Sequence, residues 1–527
     1  MDICIINTGG TISCVGDPLA PMSAKDFGNA CAHLMDPILH EIFPQSTFAY
    51  KTELTFPESE NGALDSTNVQ PSDWCRIAQY ILKIYNQYDG FVILHGTDSM
   101  DFTGAALSFL LNMCDEQGFG TAVLSKPVVM TGSQMPMFYK KNSESLQLNF
   151  NTDAYQNFCG AIACAHLDIP EVCMYFDTRL MRGNRTLKVS TDQFRAFETP
   201  NYPILAKCGL RLRQRPEHIL PGPVDNAVSL DTPHVLGMTQ ARLRAISETI
   251  DANPVMQFNA FPAPYSPHNS TAFIANLIAS CVGQGLKGLV LESYGAGNFP
   301  SGNPDTPEKG AVYRALDAAN KNGVIIVNDT QVVSGAISPF TYAAGAWLSK
   351  VGALNSSDMT SVAALVKTMI LLSSQHHMEW SLDTVKTLIQ LDFCGEMTNS
   401  SRLNSRTNRE LLPGQSLTAL DGSAILLNDP KQGLQLKSYT GNLLWSPPGL
   451  QPKSGRLVMQ DDGNLVFRSE NNEPLWATNT GVQTGASSVL MLCGSYEKET
   501  LSLSVYDYFR HKTTCPLYSQ QKETGHA

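Results

Sequence analysis

The chain opens on an apolar run, Ile3-Cys4-Ile5-Ile6, which predicts a strand that starts at once and stops at Thr8-Gly9-Gly10-Thr11. The same figure recurs. Gly90-Phe91-Val92-Ile93-Leu94 stops at His95-Gly96-Thr97-Asp98, Phe102 to Cys114 then has the apolar content of a helix, and Val128-Val129-Met130 runs into Thr131-Gly132-Ser133-Gln134. Strand, polar loop, helix, strand is the signature of a parallel sheet with crossover helices in layers on its faces. Ligands bind beyond the carboxyl ends of the strands in such sheets, so these polar loops are where chemistry is expected. The pattern places one α/β domain at 1–215. A weakly periodic connection rich in Pro, Asp and His follows at 216–252. A second, smaller α/β domain is expected at 253–395, where Gly288-Leu289-Val290-Leu291 leads into Ser293-Tyr294-Gly295-Ala296-Gly297-Asn298.

Near residue 396 the texture changes. Asn399, Ser400, Ser401, Asn404, Ser405 and Asn408 read as a polar linker. Beyond it, over 405–515, short alternating segments are separated by Gly, Asn and Asp turns, and Trp445 and Trp476 each end a strand pair. Leu457-Val458-Met459-Gln460, Asp461-Asp462-Gly463 and Asn464-Leu465-Val466-Phe467 together predict a hairpin. This stretch reads as an all-β module with weak internal repetition.

Composition narrows the function. At about 150 residues per domain, the 527 residues suit three or four domains. Apolar residues make up 43% and charged residues 16%, a globular balance. The 37 Lys and Arg against 48 Asp and Glu give a net charge of −11 with no dense basic run, which argues against nucleic acid and anionic membranes as partners. No apolar run nears the roughly 20 residues of a membrane span. The first residues lack the basic and apolar regions of a signal peptide. The 13 cysteines are an odd number with no Cys-x-x-Cys pair, which suits reduced thiols and a cytoplasmic location.

Taken singly, the polar loops have structural readings. Thr8-Gly9-Gly10-Thr11 can be a strand-ending turn, and Asp98 or Ser99 can cap the helix that follows. Asp65-Ser66-Thr67-Asn68 precedes a helix opening near Pro71, where capping is again sufficient. Together they make a hydroxyl-rich pocket with the Asp98 carboxylate and a lysine, Lys188. A threonine hydroxyl is a poor nucleophile until a base takes its proton, and a second threonine paired with a lysine and an aspartate can supply that base.

These segments, in this order, strongly resemble the L-asparaginase family, in its bacterial-type amidohydrolases. Thr8-Gly9-Gly10-Thr11-Ile12 and His95-Gly96-Thr97-Asp98-Ser99-Met100 match the two signature segments. Asp65–Asn68, Thr131–Pro136, Arg182–Lys188 and Ser293–Asn298 match further pocket segments, over residues 1–395 in all. Arg182-Gly183-Asn184-Arg185-Thr186 with Pro200-Asn201-Tyr202-Pro203 resembles the cytosolic (type I) branch. The resemblance implies hydrolysis of L-asparagine to L-aspartate and ammonia. Thr11 is then the nucleophile that forms an acyl-enzyme ester, and Thr97, Asp98 and Lys188 form the second catalytic group. Ser66, Thr67 and Asp98 hold the substrate, with Gly10 and Ser133 beside it. No cofactor or metal is implied. A homo-oligomer, a dimer of dimers, is implied, with Asn298 near the junction between copies.

One departure bears on catalysis. The loop after the nucleophile usually carries a tyrosine two residues before a proline, and here Leu19 and Pro21 take those places. The rival readings are a glycan- or protein-binding adaptor with a weakened amidohydrolase part, and an amidase acting on glutamine or other amides. The 405–515 module resembles a bulb-type, mannose-binding lectin domain, a β-prism, which implies a glycan or protein partner. In that family's sugar motif Gln460, Asp462, Asn464 and Val466 match, while Arg468 replaces a tyrosine. The expected fold class is thus an asparaginase-like pair of α/β domains with a parallel sheet, plus a lectin-like β-prism.

Overall fold

The first apolar run forms strand β1 (Asp2–Asn7), in which Ile3, Cys4, Ile5 and Ile6 are each at most 1% exposed. Residues pointing to both faces are covered, as a strand sandwiched between helix layers requires. The computed structural model describes residues 1–527 except 61, 142–144, 224, 339–342, 399–400, 406–408, 482–487, 508–509, 511 and 521–527. The chain divides into two compact units. One holds Met1–Asp115, Gly120–Pro254 and Val362–Trp380; the other holds Glu116–Phe119, Val255–Ser361 and Ser381–Ala527.

In the first unit β1 lies in an eight-stranded sheet with β2 (Thr47–Lys51), β3 (Gly90–Leu94), β4 (Val128–Thr131), β5 (Val172–Phe176), β6 (Arg179–Arg182), β7 (Ala206–Cys208) and β8 (Leu212–Gln214). Their order is β8-β7-β6-β5-β4-β3-β1-β2. Helices α1 (Ala24–Leu34), α2 (Pro71–Ile84), α3 (Met100–Leu110) and α4 (Asp153–Ala165) connect successive members of the parallel part, β1 to β5. The sheet is mixed, which corrects the expectation of a parallel one. Only Asp177 and Thr178, at φ 44° and 65°, separate β5 from β6. A two-residue link with both residues left-handed returns the chain antiparallel, and β7 and β8 continue that sense.

Helix α3 stops short of the expected Cys114. The Asn112 side chain donates to Ser108 O (2.8 Å) and accepts from Leu124 N (3.0 Å), which ties off the last turn. Met113–Cys114 then pairs with Gly120–Ala122. The stretch 216–252, read as a connection, contains a 17-residue helix, α5 (Pro233–Thr249). Its Gln240 amide donates to Leu82 O of α2 (3.1 Å), and Arg242 reaches Asn112 O (2.8 Å). The helix is amphipathic only weakly, so its sequence pattern did not announce it. Helix α8 (Ser361–Ser374) belongs to this unit, and from Val362 onward it is buried all round.

The second unit carries a four-stranded parallel sheet of β9 (Val255–Asn259), β10 (Gly288–Ser293), β11 (Ile325–Thr330) and β12 (Leu354–Asn355). Helices α6 (Phe273–Gly283) and α7 (Ala311–Lys321) supply its apolar cover through Ile274, Ile278, Val312 and Leu316. Helix α9 (Leu382–Ile389) precedes the β region.

Three antiparallel four-stranded sheets follow. They are β13 (Arg402–Asn404) with β22 (Ser488–Cys493), β23 (Ser502–Asp507) and β24 (Lys512–Ser519); β14 (Glu410–Leu411) with β19 (Arg456–Met459), β20 (Leu465–Arg468) and β21 (Pro474–Ala477); and β15 (Ser416–Thr418), β16 (Ala424–Asp429), β17 (Gly433–Ser438) and β18 (Leu443–Trp445). Alternate residues of each face one shared core of leucines. The β19–β20 hairpin forms where the sequence placed it, with Gly463 left-handed at φ 90°. Asn399, Ser400 and Asn408 lie outside the described residues. Ser401, Asn404 and Ser405, read with them as a linker, are buried, because β13 pairs with β22 and Ser405 Oγ accepts from Ser488 N (3.2 Å). The buried Arg402 guanidinium donates to Gln117 O (3.0 Å), Gly118 O (2.6 Å) and Asp392 O (2.7 Å). No helix among the described residues is long and apolar enough to cross a membrane.

Candidate active site

Strands β1, β3 and β4 run in register, with Asn7 opposite Leu94 and Leu94 opposite Thr131. Their carboxyl ends therefore deliver three polar loops to one level. Thr8 is anchored twice to Leu94 O, by its N–H and its hydroxyl, both at 2.9 Å. Gly9 and Gly10 follow with φ of 119° and 84°, a region that favours glycine. Their missing side chains also have no room. A Cβ on Gly9 would lie 2.2 Å from Leu64 O, and one on Gly10 would lie 2.3 Å from Gly96 Cα. A Cβ on Gly96 would meet Ser66 Oγ at 2.4 Å. The loops that carry Thr11, Ser66 and Thr97 are thus in direct backbone contact, and glycine is what permits it.

Thr11 opens a short 3-10 turn, Thr11–Ser13, and is half-buried. The Gly10 carbonyl accepts from Ser13 N (3.0 Å) and Ser13 Oγ (3.1 Å), which fixes the turn below it. Ser66 is 3% exposed, and its hydroxyl accepts from Asp98 N at 3.2 Å. The Asp65 carboxylate accepts from Thr67 N (3.1 Å) and caps only the short turn Ser66–Asn68, whereas the helix at Pro71, which this segment was expected to cap, is capped by Gln70, whose N–H donates to Asp73 Oδ2 (2.9 Å).

The charged centre is Lys188, on the two-residue strand Leu187–Lys188. Its Nζ donates to Thr97 Oγ1 (3.0 Å) and to Asp98 Oδ1 (2.6 Å). The lysine side chain is 16% exposed and the aspartate 56%, so the pair looks out into solvent from a covered floor. The structure brings Thr97, Asp98 and Lys188 together although 90 residues separate the last two. An ammonium that donates to Thr97 Oγ1 leaves the threonine proton free to point elsewhere, toward a water or a second hydroxyl.

Asp101 completes this arrangement, and the sequence reading passed over it. Its Oδ2 accepts from Lys188 N at 3.1 Å and holds the lysine strand against α3. Burial pushes its carboxyl above the usual range, while the Lys188 N–H acts to lower it. An aspartate in the first turn of a helix reads as a dipole partner, and only the fold shows that it faces another strand. Ser133 is buried, and its hydroxyl donates to Met135 O (2.5 Å) within its own loop. Asp153 accepts from Gln134 N (2.7 Å) and Met135 N (3.1 Å). Leu19 sits 54% exposed in the loop of the small hairpin of Cys14–Val15 and Ala20–Pro21 that follows the Thr11 turn.

His95 is a structural residue here. It is 1% exposed, with Nδ1 2.7 Å from Gly96 O and Nε2 3.0 Å from Thr103 Oγ1. Burial pushes its imidazolium pKa down to about 4 from 6.5. Between those values the unfolded chain binds a proton that the native state refuses, so stability falls as pH falls through this window, by about 1.4 kcal/mol per unit. Urea midpoints from pH 7.5 to 4.5 should fall less steeply for His95→Gln than for the wild type. Parallel slopes would show that His95 charges without cost.

In the β region the residues read as a sugar motif are engaged with nearby backbone and side-chain groups. Asp462 Oδ1 accepts from Asn464 N (2.9 Å), and Asn464 Oδ1 accepts from Thr478 Oγ1 (3.2 Å). Gln460 N donates to Asn464 O (2.9 Å), and the Arg468 guanidinium donates to Asn472 O (3.0 Å). Among the described residues no group of three or more His, Cys, Asp or Glu has the geometry to hold a metal ion.

Comparison with known proteins bears on the same segments. The family model described as Asparaginase, N-terminal matches residues 2–218, and Glutaminase/Asparaginase C-terminal domain matches residues 270–380. L-asparaginase 1 of Escherichia coli strain K12 is 33% identical over 336 residues, which span 64% of this chain and 82% of that protein. The 60 kDa lysophospholipase of Mus musculus is 33% identical over 335 residues, 63% of this chain but 49% of that protein. The crystal structure of L-asparaginase I from Vibrio cholerae superposes with a TM-score of 0.55 at 29% identity, covering 75% of this chain and 99% of that one.

Proposed function

This chain belongs to the asparaginase family, and we infer that it is an L-asparaginase, an amidohydrolase that converts L-asparagine to L-aspartate and ammonia. The observation that carries the reading is the Lys188 ammonium held between Thr97 Oγ1 and Asp98 Oδ1, on a loop in backbone contact with the one that presents Thr11.

In the proposed mechanism the Thr11 hydroxyl oxygen attacks the side-chain amide carbon, and its proton passes to the departing nitrogen. The C–N bond breaks, ammonia leaves, and an ester joins the substrate acyl group to Thr11. A water oriented by Thr97 then attacks the ester, aspartate leaves, and Thr11 regains its proton. Lys188 orients Thr97 and favours negative charge on its oxygen; Asp98 fixes Lys188 and draws the substrate ammonium. Ser66 and Thr67 take the α-carboxylate, with Gly10 and Ser133 lining the place of the amide. Ammonia release should be greatest for L-asparagine in a panel with D-asparagine, L-glutamine and β-aspartyl amides. A preference for glutamine would move the assignment to a related amidase, and a folded protein inactive on every member would favour the adaptor reading, to which Leu19 in the lid position contributes.

The chemistry is assigned to domains at 1–215 and 253–395, with 216–252 between them. A dimer of dimers, with Asn298 near the junction of two copies, rests on the resemblance of the Ser293–Asn298 loop. A cytoplasmic location is supported by the 13 cysteines, an odd number with no Cys-x-x-Cys pair. For 405–515, three four-stranded antiparallel sheets around one core support a bulb-lectin-type β-prism. Its role is a structural or protein-contact one. Asp462 Oδ1 is taken by the Asn464 N–H and Asn464 Oδ1 by the Thr478 hydroxyl, and Arg468 is donor-only where a tyrosine hydroxyl also accepts. Titration of methyl mannoside into the full chain should show no saturation below millimolar concentration, and Arg468→Tyr should strengthen binding. Micromolar binding by the wild type, lost in Asn464→Ala, would assign a working glycan site.

A further inference from the structure

Between the β15–β18 sheet and the end of the small parallel sheet lies a cavity of about 520 Å³, inside the second unit. Both walls are built from regular structure. On one side Thr418, Ile425 and Lys437 stand in a row across β15, β16 and β17, since Thr418 pairs with Ile425 and Ile425 with Lys437. Ser416, two residues before Thr418, shares that face. On the other side Asn355, Ser357 and Gln390 converge, and they are held in place by one another. Gln390 Oε1 accepts from Asn355 N (3.2 Å), and Asn355 Oδ1 accepts from Ser357 N (2.8 Å). Ile337 N donates to Ser357 O (2.9 Å), which sets the rim.

The chemistry of this lining is one-sided. It offers hydroxyls, two carboxamides and a single ammonium, and no carboxylate among the described residues. Lys437 forms no salt bridge among the described residues. Glu497, outside the lining, accepts from the Tyr439 hydroxyl at the mouth. The Asn355 carbonyl oxygen is turned to a backbone N–H, which leaves its amide donors for another partner, while Gln390 accepts from Asn355 N and donates to Lys386 O (3.4 Å), keeping one amide hydrogen for the cavity. A site with one cation, several hydroxyls and no anion suits a ligand with one negative group and many hydroxyls. It does not suit a zwitterionic amino acid, whose ammonium would find no counter-charge. The volume is within the range of small-molecule sites.

We propose that this cavity is a second ligand site, distinct from the amide-hydrolysing centre, for a small anionic polyol such as a sugar acid or a sugar phosphate. Lys437 takes the anionic group, and the row through Thr418 with the Asn355 and Gln390 amides takes the hydroxyls.

The test is calorimetric titration of gluconate and of glucose 6-phosphate into the full chain, with inorganic phosphate, glucose and L-asparagine as controls. Binding of at least one anionic polyol in the micromolar range is expected. Lys437→Met should weaken it tenfold or more, and Thr418→Val should weaken it a few-fold. Both variants should keep the wild-type melting temperature and ammonia release, since neither residue touches the catalytic loops. The gluconate and glucose 6-phosphate arms distinguish a carboxylate from a phosphate as the anion. The proposal is overturned if neither binds, if phosphate alone binds as tightly as its sugar ester, if Lys437→Met leaves affinity unchanged, or if L-asparagine competes. Because binding is read directly, failure here leaves the asparaginase assignment untouched, and an inactive enzyme that still binds the polyol separates the two readings the other way.

Discussion

Thr11→Ala and Lys188→Ala are each expected to lose L-asparagine hydrolysis by roughly 10³-fold or more while keeping the wild-type fold, because groups that act as a unit fail together. Thr11 is half-buried at the start of a turn held by Gly10 O, and alanine fits that backbone without strain. The loss is therefore chemical: no oxygen remains to form the ester. Lys188→Ala acts differently. It leaves the nucleophile in place but removes the donor to Thr97 Oγ1 and the partner of Asp98 Oδ1. Its loss should fall mainly on kcat, with some rise in KM because Asp98 is no longer fixed. Stopped-flow ammonia release and steady-state assays on both variants, with circular dichroism as the fold control, provide the check. A Thr11→Ala enzyme with wild-type turnover would remove the covalent mechanism outright.

Gly10→Ala is expected to damage site and stability together. The residue is left-handed at φ 84°, and its Cβ would lie 2.3 Å from Gly96 Cα, where backbone meets backbone and neither can rotate aside. With ψ at 174° this backbone lies in a region essentially confined to glycine, and holding a residue with a Cβ there costs about 1–3 kcal/mol. Forcing a methyl group between two close-packed segments costs about 1–3 kcal/mol more. A melting temperature lower by roughly 5–10 °C follows for a unit of this size. Relief of the clash must part the Thr11 and Thr97 loops, and a displacement of about 1 Å at a reacting group costs on the order of 10² in rate. Gly16→Ala is the control, because it shares a positive φ of 94° but has its nearest neighbour at 3.4 Å. Equal melting temperatures and rates for Gly10→Ala and Gly16→Ala would show that the inter-loop contact does not matter.

Local events were legible in the residue pattern of the chain. Apolar runs ending in Gly-Thr loops placed β1, β3 and β4, because a buried strand needs side chains covered on both faces and a sharp exit needs glycine. The sequence also singled out Thr11, Thr97, Asp98 and Lys188 as the proposed catalytic set, through short segments that resemble those of a known family, and the fold places Lys188 against Thr97 and Asp98. The Asp462–Gly463 turn predicted its hairpin for the same reason: the requirement lies within a few residues. Features that depend on distant partners emerged only in the folded chain. The mixed sense of the sheet follows from two left-handed residues, Asp177 and Thr178, which are not glycine and so gave no local signal. Helix α5 has too weak a stripe to announce itself, and it forms because Gln240 and Arg242 find partners more than 100 residues away. The segment at Ser401–Ser405 looked like a linker because its side chains are polar, yet it is buried in a strand once β22 satisfies its backbone. Asp101 became part of the site only when the fold set Lys188 against it. Backbone conformation and residue chemistry are written locally, whereas the satisfaction of buried polar groups requires partners that only the folded chain brings within reach.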